Sequence, residues 1–125
     1  MSGSSFVFLD TNVVLYHLGD RLKKPLKKER YAISIITEIE LLSYPKIELD
    51  ETAKIQDSIG KITVVELRNS IKVETIKLRK KYSLKTPDAI VAATALRLEA
   101  PLLINDKKLL SVSEIETQAV EILNF

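Results

Sequence analysis

Cysteine and tryptophan are absent from this 125-residue chain, and histidine occurs once, at His17. The missing thiol excludes disulfides, thiolate zinc sites and cysteine nucleophiles together, and it suits a reducing cytoplasm. One histidine leaves little room for imidazole acid–base chemistry, and His17 reads as a surface or partly buried structural residue. With Gly 3 and Pro 4, breakers are scarce, so the elements should be long and the loops short. No apolar run approaches the roughly 20 residues of a membrane span. The opening Met-Ser-Gly-Ser-Ser has no basic stretch, and residues 6–9 are too few for a signal-peptide core. A cytoplasmic protein without membrane contact is the expectation.

Hydrophobic residues make up 46% and charged residues 29%, an ordinary globular composition. The length suits a single domain over 1–125, with 1–5 as a flexible lead. Such a chain buries roughly two-thirds of its unfolded surface, enough for a core without staples. Net charge is only +2, but its distribution is uneven. Residues 21–30 and 77–85, which include Lys23, Lys24, Lys80 and Lys81, hold 11 of the 19 basic residues against one acid, Glu29. Such runs are either solvated surface or a surface that tracks nucleic-acid phosphates.

Strand-forming and helix-forming segments alternate. Strands are expected at 6–9, 31–36, 62–67, 102–104 and 120–123. Helices are expected after residue 10 through Val13, Val14 and Leu18, and at 37–44, 50–59, 69–82, 86–99 and 107–110. The clearest is 86–99, where Ala89, Ala92, Ala93, Leu96 and Ala100 recur at helical spacing. Ile55 and Ile59 lie on a helix and serve either a core or a contact between copies. Several strands are continuously apolar, as expected when helices cover both faces. The fold class is therefore α/β, a three-layer α/β/α arrangement on a small parallel sheet.

In such sheets chemistry gathers beyond the carboxyl ends of the strands. Asp10, Glu40 and Asp106 each follow an expected strand, and Asp88 opens the clearest helix. Each has a capping alternative. Asp10 or Asp106 can serve as an N-cap, and Thr37 with Glu40 has capping-box spacing. Thr86-Pro87-Asp88 reads as cap, proline and dipole-favoured acid. The set is harder to explain as caps. Two unit charges about 5 Å apart at an effective dielectric of about 20 repel by roughly 3 kcal/mol. Several such pairs would rival a domain's whole stability of about 5–15 kcal/mol. Converging carboxylates must bind a cation, hold protons or stay dispersed. An all-oxygen donor set selects Mg²⁺ or Mn²⁺ before Zn²⁺, and such an ion suits phosphodiester hydrolysis.

The segments Leu9-Asp10-Thr11-Asn12, Ser34-Ile35-Ile36-Thr37-Glu38-Ile39-Glu40-Leu41-Leu42, Pro87-Asp88-Ala89-Ile90-Val91-Ala92-Ala93-Thr94-Ala95 and Leu103-Ile104-Asn105-Asp106 resemble the PIN-domain family, nearest to the VapC-like toxins of prokaryotic toxin–antitoxin pairs. The resemblance runs from Phe6 to about Leu123. It implies a small parallel sheet between helices and Mg²⁺- or Mn²⁺-dependent cleavage of RNA. It implies that Asp10 and Asp88 are the principal metal ligands. Glu40 and Asp106 then complete the centre, as ligands through water or by placing the attacking water. Glu40 is preferred over Glu38 because it directly precedes the paired leucines; a slip in alignment reverses that choice. Thr11, Asn12 and Asn105 become polar neighbours that orient waters or a carboxylate, and Lys23, Lys24, Lys80 and Lys81 become candidate RNA contacts. The resemblance also implies a homodimer and a small antitoxin partner. The chain departs from the family pattern at Ser43-Tyr44-Pro45, where relatives carry glycine, and at Lys107-Lys108-Leu109, where they carry an aromatic.

Two other classes compete. One is a PIN-fold module that binds RNA or protein with weak or no cleavage, against which the presence of all four acids argues. The other is an aspartyl-phosphate enzyme with Asp10 as nucleophile. It is disfavoured because the second aspartate expected two residues on is Asn12.

Overall fold

Phe8 and Leu9 are adjacent and both buried, yet they belong to different apolar clusters. Successive strand side chains point to opposite faces, so this one pair shows that both faces of the sheet are covered. The computed structural model describes residues 6–43, 49–105 and 107–123, with side chains 49 and 50 also outside the description. The expected flexible lead at 1–5 lies outside the described residues.

The sheet has five parallel strands in the order β3-β2-β1-β4-β5. These are β1 (Val7–Leu9), β2 (Tyr31–Ser34), β3 (Thr63–Val65), β4 (Leu102–Ile104) and β5 (Thr117–Ala119). Phe8 sits opposite Ala32 on one side and Leu102 on the other. The helices are α1 (Thr11–Leu18), α2 (Ile35–Leu42), α3 (Leu49–Ile59), α4 (Asn69–Tyr82), α5 (Thr86–Leu98) and α6 (Lys107–Leu110). One cluster joins Phe8, Leu102 and Ile104 to residues of α4, α5 and α6. The other joins Leu9 and Ile33 to Val13, Val14, Leu41, Ile55 and Ile59. The expected three-layer α/β/α fold is what forms. Ile55 and Ile59 are core residues of α3, which decides between their two readings.

Several local expectations need correction. The last strand is Thr117–Ala119, not 120–123. Its side chains are mostly exposed, and it exists because its backbone pairs with β4 through Leu102–Thr117 and Ile104–Ala119. Apolar Val120 and Ile122 misdirected the expectation; Ile122 instead makes an isolated antiparallel bridge to Leu22. Strand β2 ends at Ser34, two residues early, because the Ser34 hydroxyl oxygen accepts the Ile36 N–H at 3.1 Å and caps α2 there. That helix ends at Leu42 with Ser43 as its C-cap, short of the expected end; the expected last residue, Tyr44, lies outside the described residues. Helix α5 is not the one-sided amphipathic helix that its spacing suggests. Every residue from Ala89 to Ala95 is buried, because α5 packs against α4, α2 and β2 at once. Its alanines let those neighbours approach closely.

Candidate active site

Asp10 ends β1 and is the N-cap residue of α1 in extended conformation, φ −73° and ψ 155°. Its N–H donates to Leu103 O and its carbonyl accepts from Val14 N–H. The residue is 6% exposed, and its carboxylate makes no capping bond to the α1 amides. Asp10 therefore has the position of a cap without making a cap's hydrogen bond.

Thr11 follows at the first position of α1. Its Oγ1 lies 2.7 Å from Glu40 Oε1 and 3.0 Å from Thr37 Oγ1. The capping-box reading of Thr37 and Glu40 fails here. The cap of α2 is Ser34, which puts Thr37 in the first turn and Glu40 further along the helix, where its carboxylate accepts the Thr11 hydroxyl instead. Glu38 lies two residues earlier, about 200° around the helix, so the two glutamates cannot both face Thr11. Glu40 is the one bonded to Thr11, the residue that follows Asp10.

Asp88 is half-buried in the first turn of α5, where the helix dipole favours negative charge. The cap there is Lys85, not Thr86, because the Ala89 N–H reaches the Lys85 carbonyl at 2.9 Å and begins the helix one residue early. Asn105 follows β4 and donates its Nδ2 to Val120 O at 3.4 Å. That amide ties the end of β4 to the chain beyond β5. Asn12 is exposed on α1. Asp106, next after Asn105 in the chain, lies outside the described residues. Strands β2, β1 and β4 are parallel neighbours, so Ser34, Asp10 and Asn105 leave the sheet at one edge, and α2 packs on both α1 and α5.

Among the described residues no three His, Cys, Asp or Glu side chains are gathered closely enough to hold a metal ion. Mg²⁺ does not require such a cage. It keeps several waters and binds through one or two carboxylates plus substrate phosphate. A buried Asp10, a fixed Glu40 oxygen and the absence of thiols fit a hard, oxygen-loving cation and no softer metal.

The four candidate RNA-contact lysines are all exposed. Lys23 pairs with Glu121 at 3.2 Å. Lys24 borders a groove of about 500 Å³ with Lys27, Tyr31, Val7 and Pro101, near the starts of β1, β2 and β4 rather than their carboxyl ends. Lys80 lies on the last turn of α4. Lys81 pairs with Glu114 at 3.2 Å, and the Tyr82 hydroxyl donates to the same carboxylate. That hydroxyl holds the Glu114 carboxyl below its usual range, while the bond to Glu114 holds the Lys81 ammonium above its own. Thr37 is the residue of the site that sequence reasoning underused. Its three-residue spacing from Glu40 was visible, but capping explained it as well as a shared helix face.

The PIN-domain family model matches residues 7–115, and the chain belongs to that family. Its fold is similar to that of VapBC2 from Rickettsia felis bound to a DNA fragment from their promoter, with TM-score 0.78 and 19% identity over 93% of this chain and 99% of that one. DNA-bound VapBC from Salmonella typhimurium gives TM-score 0.78 and 20% identity over 92% and 97% of the two chains. A toxin–antitoxin complex from Klebsiella pneumoniae gives TM-score 0.72 and 23% identity over 87% and 94%. No curated protein sequence shows a significant match to the chain. Among the described residues no helix is long and apolar enough to cross a membrane.

Proposed function

We propose that this chain is a Mg²⁺- or Mn²⁺-dependent endoribonuclease and the toxin of a toxin–antitoxin pair. The observation that carries the reading is the buried Asp10 at the end of β1, with Glu40 hydrogen-bonded to the adjoining Thr11. Asp10 and Asp88 are the proposed principal ligands, with Glu40 and Asp106 completing the acidic centre. A bound ion would polarise the phosphate and lower the pKa of a bound water. Asp10 and Asp88 would hold the ion against the sheet edge, and Glu40 would orient the attacking water with the oxygen that Thr11 leaves unoccupied. The exposed lysines of α4 would neutralise backbone phosphates away from the reacting bond.

The likeness to VapBC complexes supports a small antitoxin as partner, and we propose a cytoplasmic homodimer as the active form. The test is cleavage of structured and unstructured RNA with Mn²⁺ and with chelator. Cleavage that chelator abolishes and Mn²⁺ restores supports the reading. Binding of RNA without cleavage under every metal condition replaces it with the non-catalytic module.

A further inference from the structure

Thr37, Thr75 and Thr94 are all buried within helices. Thr75 donates to Ile71 O at 2.7 Å and Thr94 to Ile90 O at 2.6 Å, the usual outlet for a hydroxyl inside a helix. Thr37, with no exposure at all, does otherwise: its hydroxyl meets Thr11 on a different helix at 3.0 Å. Thr11 Oγ1 is the donor in both of its contacts, to Glu40 Oε1 at 2.7 Å and to Thr37 Oγ1 at 3.0 Å. One hydroxyl is thus held between the two, with the shorter contact to the carboxylate. A fully buried Thr37 hydroxyl stripped of that contact would be costly.

We infer that Thr37 is a positioning residue of the carboxylate site, fixing Glu40 through the hydroxyl of Thr11. The chain of bonds runs from Thr37 to Thr11 to Glu40 and spans α2 and α1. It commits Oε1 of Glu40 to Thr11 and leaves Oε2 to face the reaction. It also locks the rotamer of the residue adjoining Asp10, so the spacing of the two carboxylates is set from behind the site.

The test compares Thr37→Val, close in shape but without the hydroxyl, with Thr37→Ser, which restores it. The kinetic arm rests on the nuclease reading above; the spectroscopic arm does not. With Mn²⁺ and RNA, the valine variant should keep its KM and lose about three- to tenfold in kcat, the size of one neutral hydrogen bond, and serine should recover most of it. In a Glu40→Ala background the same change should cost nothing further, because the two residues act in series. By NMR, three-bond couplings of Thr11 should report one rotamer in the native chain and averaged rotamers in Thr37→Val. If the native chain cleaves no RNA, the nuclease reading falls and the couplings alone decide the relay. A single Thr11 rotamer retained in the valine variant overturns the inference. So does an undiminished further loss in the Glu40→Ala background, or a serine variant no better than valine. Should Thr37→Val fail to fold, Thr37→Ala is read by the same measurements.

Discussion

Thr11 Oγ1 stands 2.7 Å from Glu40 Oε1, so the residue that follows Asp10 in the chain holds a carboxylate from a different helix. Asp10 and Glu40 are 30 positions apart in the sequence. Because β1 and β2 are parallel neighbours, α1 and α2 start side by side, and one hydroxyl can join them.

Removing the charge at the proposed ligands separates function from stability. Asp10→Asn and Asp88→Asn should each lower cleavage by at least about a hundredfold, since losing even outer-shell support of a metal costs about 10–100-fold. Melting temperatures should hold or rise, because repulsion between neighbouring carboxylates falls. Native cleavage rates in both variants would remove these residues from the centre.

Thr11→Val deletes the link itself. It strands the fully buried Thr37 hydroxyl and frees Glu40. Leaving a buried polar group unsatisfied costs about 1–3 kcal/mol, which denaturant unfolding would read as a lower midpoint at unchanged slope. An unchanged midpoint would mean that the hydroxyl finds water instead.

Lys80 and Lys81 test the proposed role of α4 in holding phosphates. Replacing both with alanine should weaken RNA binding at low salt. It should also flatten the dependence of log affinity on log salt by about 0.7 for each single-strand phosphate that these lysines neutralise. An unchanged slope returns both lysines to solvated surface.

Glu114 gives a pH signature with a definite sign. The Tyr82 hydroxyl, aided by Lys81, holds its carboxyl below the ordinary value of 4.5. Its contribution is therefore present above that value and is lost as pH falls through the folded one. Glu114→Gln should be slightly less stable than the native chain at neutral pH, and the gap should close on acidification. Added salt should shrink the gap too, because the group is exposed. A gap that widened in acid would contradict the assignment of the Tyr82 bond.

The α/β class, the parallel sheet and the helices α3, α4 and α6 are legible in the sequence because apolar runs and helical spacing are local signals. The acids are legible because Asp10 and Asp88 sit in distinctive local strings. Other features required partners distant in the chain. Thr37-x-x-Glu40 is compatible with a capping box or with a shared face. Only the Ser34 cap, by fixing where α2 starts, excludes the first. Strand β5 carries little apolar signal of its own and forms because β4 offers it a backbone edge. The alanines of α5 spell a stripe, yet the helix is buried on every side because α4, α2 and β2 close around it.

The sequence by itself thus determined the order of strands and helices and the supply of carboxylates, since propensity, patterning and residue chemistry act over a few neighbours. The tertiary structure decided which hydroxyl serves which carboxylate, and that Glu40 is the glutamate of α2 bonded to Thr11, the neighbour of Asp10. Hydrogen bonds and burial depend on groups brought together across 26 and 29 residues of chain, and no local pattern encodes that distance.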